Sequence, residues 1–123
     1  KARYVQSVVE TKAHLLKMRI SHINAWGTSK LAFDGSGYVK RGKDSEKTGG
    51  NYSLCEFSTG KVYNCDLNAA YNIGSRYFVR EMGKSMPATE WQRITAKVPQ
   101  CAKRSTCTLS TLINLYAELC AAA

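Results

Sequence analysis

Residues 63–74 read YNCDLNAAYNIG. Asp66 stands where an amphipathic helical pattern begins, so the sequence predicts a helix whose first turn carries this carboxylate. An aspartate there can cap the helix, and the positive end of the helix dipole helps to keep the side chain ionised. The same charged oxygens suit magnesium, which prefers hard ligands. From these residues alone capping and metal binding are both open, and capping is the commoner role.

Upstream of this stretch, the sequence predicts a helix, a strand and a hairpin. Apolar residues at helical spacing indicate a core-facing helix over residues 2–20, and a short strand is expected over 21–26. Glycines and mixed charges make residues 34–51 the one loop-like stretch. Two hairpin strands are predicted over 52–57 and 61–64. The apolar stripe of the first helix consists of Val5, Val8, Val9, Ala13, Leu16 and Ile20.

Downstream, the pattern predicts helices to the end of the chain. The second helix runs from Leu67 to Met82, and Gly83 is its expected stop. Pro87 fits the start of a third helix that ends before Pro99, and residues 105–119 read as a last helix or an extended arm. The predicted core side of the second helix consists of Leu67, Ala70, Ile73, Tyr77 and Phe78. Periodicity alone therefore indicates an α+β domain.

Composition and charge narrow the function classes. Of the 123 residues, 44% are hydrophobic and 22% charged, which is typical of a globular protein, and no apolar run is long enough to cross a bilayer. The net charge of +9 favours a polyanionic partner such as DNA or RNA, although a solvated basic surface explains it equally well. Five cysteines at irregular spacing argue against a disulfide framework and favour reduced thiols in the cytoplasm.

Three segments together resemble one nuclease family. Residues 66–73, with the pattern D-x-N-A-A-x-N-I, resemble the third catalytic motif of RuvC-like nucleases, in the TnpB proteins of insertion sequences and the related type V CRISPR effectors. Residues 26–30 (WGTSK) resemble the T-S segment before that family's zinc ribbon, and residues 11–13 (TKA) resemble its Y-K-A helix. The resemblance covers about residues 1–80 and implies the C-terminal half of an RNase H-like (RuvC-like) domain.

This resemblance divides the chain into four parts. Residues 1–30 would form a helix and strand of the RuvC-like domain, and residues 31–64 an inserted β-hairpin that is a degenerate zinc ribbon. Residues 65–83 would form the helix of the third motif, and residues 84–123 a C-terminal helical extension.

The resemblance also implies a function. It implies a magnesium-dependent, RNA-guided DNA endonuclease of transposable elements, in which Asp66 is one catalytic magnesium ligand and the partners are DNA and a guide RNA. The family's other two carboxylates have no match among the acidic residues of this chain. We therefore expect an excerpt whose N-terminal remainder carries them, and an isolated chain that does not cleave. The alternatives are a catalytically inactive nucleic-acid-binding module derived from such a protein, and a structural or protein-interaction domain.

The ribbon positions predict a hairpin without metal. The family places four cysteines there, and this chain has Ala32, Gly35, Cys55 and Ser58. One thiolate cannot close a tetrahedral structural site, so we expect no zinc. We expect apolar packing to hold the hairpin instead, through Leu31, Phe33, Tyr38, Val39, Tyr52, Leu54 and Phe57.

Basic residues next to aromatic ones are candidates for nucleic-acid binding, because cations hold phosphates while rings stack on bases. Such mixtures occur at residues 38–41 and 76–80, although helical spacing favours a core position for Tyr77 and Phe78. For the loop lysines, binding and simple solvation are evenly balanced. The predicted contacts are Lys12, Lys30, Lys40, Arg41, Lys43, Arg76 and Arg80.

Overall fold

In a computed structural model that describes residues 2–122, the chain forms four α-helices and a small antiparallel sheet. This confirms the α+β class. The elements in chain order are α1 (Ala2–Leu15), β1 (Lys40–Arg41), β2 (Leu54–Glu56), β3 (Val62–Asn64), α2 (Cys65–Lys84), α3 (Ala88–Thr95) and α4 (Leu109–Ala121). Among these residues, no helix has both the length and the apolar character needed to cross a membrane.

The hairpin forms at the predicted place and gains a third strand. β2 and β3 pair with Cys55 opposite Tyr63, and Gly60 adopts a φ of +89° in the connecting turn. β1 pairs with the other side of β2 and places Lys40 opposite Glu56. β1 falls inside the predicted loop, because a strand of two basic residues has no alternating pattern to reveal it.

The first thirty residues differ most from their prediction. α1 ends at Leu15, and Lys17 adopts a φ of +56° that reverses the chain, so the helix stops short of Ile20. Residues 21–26 form no strand. The predicted core-facing stripe of α1 is wrong, since Val5, Val9 and Leu16 are 60%, 57% and 68% exposed.

Two small cores hold the fold together. The sheet core consists of buried Ala32, Cys55, Phe57 and Cys65, with Phe33, Val39 and Tyr63 packed against it. The ring centroid of Phe33 lies 5.3 Å from that of Phe57 and 5.0 Å from that of Tyr63. Apolar packing by Phe33, Val39 and Phe57 is therefore confirmed, whereas Tyr38 and Tyr52 are exposed on the surface.

The helical core joins α3 and α4 to the second half of α2. Ile94, Val98 and Leu115 are buried, and Val79, Met82 and Trp91 pack around them. Pro87 precedes α3 as predicted, and a capping box between Thr108 and Thr111 starts α4. Gly83 does not end α2, which continues to Lys84; it lies under the indole of Trp91, where a side chain would collide.

The face of α2 that is buried is opposite to the predicted one. Leu67, Ile73 and Phe78 are 47%, 39% and 57% exposed, and Ala70 is exposed as well. The residues of α2 that are buried instead are Cys65, Asn68, Asn72, Ser75 and Arg76. A helix that buries polar residues needs partners for them, and the neighbouring backbone supplies these partners.

Candidate functional site

Asp66 lies in the first turn of α2, directly after β3. The residue that caps the helix is Asn64, whose Oδ1 accepts hydrogen bonds from the backbone N–H of Asp66 at 2.9 Å and of Leu67 at 3.1 Å. Capping by Asp66 is thus wrong: asparagine is as good a cap as aspartate, and it stands two residues earlier. The Asp66 side chain is left without a capping role.

The Asp66 carboxylate is exposed, and within residues 2–122 it takes part in no hydrogen bond or ion pair. The N-terminal end of the 20-residue α2 favours a negative charge at this position. Such a carboxylate can bind a hard cation without breaking any contact within the described fold.

The described residues do not form a metal site by themselves. No group of three or more His, Cys, Asp or Glu residues within 2–122 could hold a metal ion. Magnesium is often bound through one or two carboxylates together with phosphate oxygens of the substrate, so Asp66 fits the role of one contributed ligand. Two other acidic side chains have partners: Glu56 accepts from Ser45 Oγ at 2.7 Å, and Glu81 pairs with Arg19 at 3.7 Å.

The ribbon positions offer little to zinc. Ala32 and Cys55 are buried in the sheet core, and Ser58 Oγ donates to the carbonyl of Ser36 at 2.8 Å. The aromatic rings of the sheet core occupy the place where the hairpin packs on α2. The donor set does not fit a structural zinc ion.

The two asparagines of the D-x-N-A-A-x-N pattern fix the backbone that precedes the hairpin. Asn68 accepts from the N–H of Phe33 and donates to the carbonyl of Leu31, both at 2.8 Å. Asn72 donates to the carbonyls of Thr28 at 3.0 Å and Leu31 at 2.8 Å. The segments that resemble the T-S segment and the third motif are therefore hydrogen-bonded to each other.

Arg76 continues this polar face one turn further along α2. Its guanidinium donates to four backbone carbonyls, at 2.6 to 2.9 Å, and the residue is 5% exposed. Burial lowers the pKa of Arg76, and the nearby Cys107 partly opposes this effect. The four acceptors belong to Asn24, Trp26, Ser105 and Cys107. This saturated side chain is not accessible to phosphate, which corrects its place among the predicted nucleic-acid contacts.

Sequence reasoning missed the structural role of Asn68, Asn72 and Arg76. The signal was their spacing of four residues, which places all three on one face of a helix. Apolar periodicity, the stronger general rule, predicts instead that the apolar side of α2 faces the core. When a helix carries regularly spaced polar residues on one side and apolar residues on the other, the sequence does not tell which side is buried. The contacts of both sides must be known.

Four of the other predicted contacts lie together at the β1 edge of the sheet. We call Lys30, Lys40, Arg41 and Lys43 the edge cluster. The backbone N–H of Val39 donates to the carbonyl of Lys30 at 2.8 Å, which joins Lys30 to the strand. Lys30, Lys40 and Lys43 are exposed, while Arg41 Nη2 donates to the carbonyl of Tyr52 at 3.0 Å. Lys30 Nζ lies 5.8 Å from the ring centre of exposed Trp26, which forms a mixed cationic and aromatic surface.

The remaining two predicted contacts lie apart from the edge cluster. Lys12 is exposed on α1. Arg80 Nη1 donates to the carbonyl of His22 at 2.9 Å, and its guanidinium lies 5.8 Å from the ring centre of Tyr77. The structure therefore does not unite all seven basic residues in one surface.

Comparisons with protein-family models, with curated proteins and with solved structures find no match for this chain. The fold and site define an α+β protein. A three-stranded antiparallel sheet precedes α2, and the first turn of α2 exposes the Asp66 carboxylate, which has no partner within residues 2–122.

Proposed function

We propose that this chain is the C-terminal part of a TnpB-like, RNA-guided DNA endonuclease with an RNase H-like catalytic domain, to which it contributes Asp66 and contacts to nucleic acid. The observation that carries the proposal is the Asp66 carboxylate itself. It is exposed, Asn64 performs the capping, and no ion pair within residues 2–122 uses it. A metal ligand explains an aspartate that has no structural task.

The apolar outer side of α2 supports the idea that the site is completed by further polypeptide. Ala70 and Ile73 follow Asp66 at helical spacing, so they share its face, and Leu67 and Phe78 are also exposed. A row of exposed apolar side chains is typical of a surface that another structure covers. In our proposal the remainder of the RNase H-like domain covers this side and brings its own carboxylates to the Asp66 end of α2.

Each group of residues has a separate task in this proposal. Magnesium, when bound, would activate water and stabilise the leaving oxygen of a DNA phosphodiester. Asp66 would hold one coordination position, and Asn68, Asn72 and Arg76 fix the helix that carries it. The exposed lysines of the edge cluster would bind phosphates of the guide RNA or the DNA.

A second candidate function is nucleic-acid binding without catalysis. One observation favours it: the edge cluster lies within residues 2–122, whereas Asp66 belongs to no group of three or more potential metal ligands there. A protein that kept the basic surface and lost cleavage would bind RNA or DNA in a salt-dependent way.

The deciding experiment uses the whole polypeptide that the gene encodes, purified together with the RNA that accompanies it. We expect magnesium-dependent cleavage of a DNA that matches this RNA, and loss of cleavage in Asp66→Asn. Asp44→Asn is the matched control, because Asp44 is an exposed carboxylate in a turn of the hairpin region. Equal cleavage by both variants would refute the role of Asp66, and nucleic-acid binding without cleavage by any of the proteins would favour the second function.

A further inference from the structure

A cavity of about 350 Å³ is lined by residues that do not belong to the sheet core. Its walls are residues 22–24, the second half of α2, Trp91 of α3 and the two turns before α4. We call it the Trp91 cavity. It is separate from Asp66 and from the edge cluster, none of whose residues lines it.

The lining of this cavity is strongly cationic. Arg80, Lys84 and Arg104 line it together with His22, and no acidic residue is among the lining residues. Lys84 Nζ lies 3.9 Å from Glu81, and the Glu81 carboxylate also pairs with Arg19. Because Glu81 is shared, it neutralises the positive charge of Lys84 only in part. An anion in the cavity would therefore meet several cations and no carboxylate. The Cys107 thiol also lines the cavity, and its lowered pKa of about 7 adds one negative charge there above that pH.

Arg80 supplies an independent sign of a missing ligand. Its Nη1 donates to the carbonyl of His22, but its Nε is buried and has no hydrogen-bond partner. A buried N–H group without an acceptor is costly, and proteins seldom leave one so. A shift of the Arg80 side chain toward the cavity would bring this donor within reach of an anionic oxygen, and guanidinium groups bind phosphate oxygens particularly well.

The opposite wall is aromatic and fixed in place. The indole of Trp91 lies against Gly83, where an added Cβ would come within 2.9 Å of the ring. Trp91 also packs against the helical core of Ile94, Val98 and Leu115, which restricts the movement of the indole. A held indole offers a flat face on which a nucleobase can stack.

We propose that the Trp91 cavity binds one nucleotide, with its phosphate on Arg80 and Arg104 and its base against Trp91. A volume of about 350 Å³ lies at the lower end of the range for small-ligand pockets, which suits a ligand of one nucleotide unit. The nucleotide can be free or can belong to a single strand. In the second case the inference deepens the proposed function and rests on it, because it assigns the chain a pocket for one base of its nucleic-acid partner.

The test uses tryptophan fluorescence of the chain in a Trp26→Phe background, so that the signal comes from Trp91, the other tryptophan of the sequence. The probes are adenosine monophosphate, adenosine, inorganic phosphate and a short single-stranded RNA. We expect the monophosphate to change the fluorescence, adenosine and phosphate to bind at least about tenfold more weakly, and Arg104→Gln to weaken the monophosphate about tenfold. Arg104 has an exposed side chain, so its replacement leaves the fold intact.

Matched controls separate this inference from the proposed function. Arg93→Gln removes an arginine of α3 that does not line the cavity, and it should leave nucleotide affinity unchanged. If adenosine monophosphate displaces the bound RNA, the cavity holds one nucleotide of a single strand. If the chain binds the monophosphate but not the RNA, the cavity holds a free nucleotide. An unchanged affinity in Arg104→Gln, or equal affinity for phosphate and the monophosphate, would overturn the inference. RNA binding that depends on the edge cluster but not on Arg104 would overturn it while sparing the proposed function.

Discussion

Asn72 of α2 donates to the backbone carbonyl of Leu31 at 2.8 Å, across 41 positions of sequence. The same amide group donates to the carbonyl of Thr28 at 3.0 Å, and its oxygen accepts from the N–H of Leu109 at 3.3 Å. One fully buried side chain thus joins the segment before the hairpin to α2 and to the start of α4. Because these contacts fix α2, they also fix the direction in which Asp66 points.

Asn72→Leu should destabilise the protein by about 3 kcal/mol or more, because it leaves buried backbone groups without partners. Denaturation by urea measures this loss as a lower midpoint with an unchanged slope. Asn114→Leu, at an exposed position of α4, is the control and should change stability by less than about 0.5 kcal/mol. Equal effects of the two variants would show that the Asn72 contacts do not hold the segments together.

Arg76→Met should be at least as damaging as the loss of Asn72. The variant removes donors from four carbonyls while keeping most of the side-chain volume, so we expect a loss of stability above about 3 kcal/mol. Arg93→Met removes the same charge from the surface of α3 and should be nearly neutral. Circular dichroism during thermal unfolding compares the two variants, and a similar midpoint for both would contradict the structural role of Arg76.

The hairpin and the helices of the second half were predictable because their signals are local. Strand residues around Ser58-Thr-Gly60 and the proline before α3 determine structure through their immediate neighbours. The apolar periodicity of α1 and α2 also indicates helix, and both helices form, although α1 ends at Leu15. Periodicity could not tell which side of α2 faces the core, since that depends on Asn68 and Asn72 reaching carbonyls more than thirty residues away.

The candidate site was predictable in part for the same reason. The position of Asp66 in the first turn of a helix follows from the local pattern, and the structure places it there. That Asn64 performs the capping could not be known without the hydrogen bonds to Asp66 and Leu67. The Trp91 cavity brings together residues from four separate segments, so no spacing in the sequence indicates it.

Asn64 and Asp66 should differ in their effect on stability. Asn64→Ala removes the cap and should cost about 1 kcal/mol, whereas Asp66→Ala should cost only a few tenths. Chemical denaturation of both single variants measures the difference. A loss of about 1 kcal/mol in Asp66→Ala would mean that its carboxylate has a structural task, and it would weaken the argument for a metal ligand.

The edge cluster should control the salt dependence of nucleic-acid binding. Lys40→Gln and Lys43→Gln together should weaken binding to single-stranded RNA and reduce the slope of log affinity against log salt by about 1.4, or 0.7 for each lost phosphate contact. Lys97→Gln is the control, since Lys97 is not part of the edge cluster and pairs with Glu118 of α4. Fluorescence anisotropy between about 50 and 200 mM salt measures both quantities. An unchanged slope would exclude these lysines from the interface.

Cys107 should ionise near neutral pH. The side chain of Cys101 hydrogen-bonds to it and the Arg76 guanidinium lies near, and together they outweigh burial and lower the pKa of Cys107 from 9.0 to about 7. The same contact raises the pKa of Cys101, which stays protonated as the donor. The lowered pKa of Cys107 therefore contributes stability that is fully present above pH 9.0 and is lost as the pH falls through about 7. The raised pKa of Cys101 acts in the opposite direction.

The ultraviolet absorption of thiolates follows this ionisation directly. We expect one thiolate to form with a midpoint near pH 7 in the folded chain, and the midpoint to move to about 9.0 when urea unfolds it. Cys107→Ser should remove the step, while Cys120→Ser, at an exposed position of α4, should leave it in place. A folded chain whose first thiolate forms only near pH 9.0, the reference value of the Cys107 thiol, would show that Cys101 and Arg76 do not stabilise the charge of Cys107.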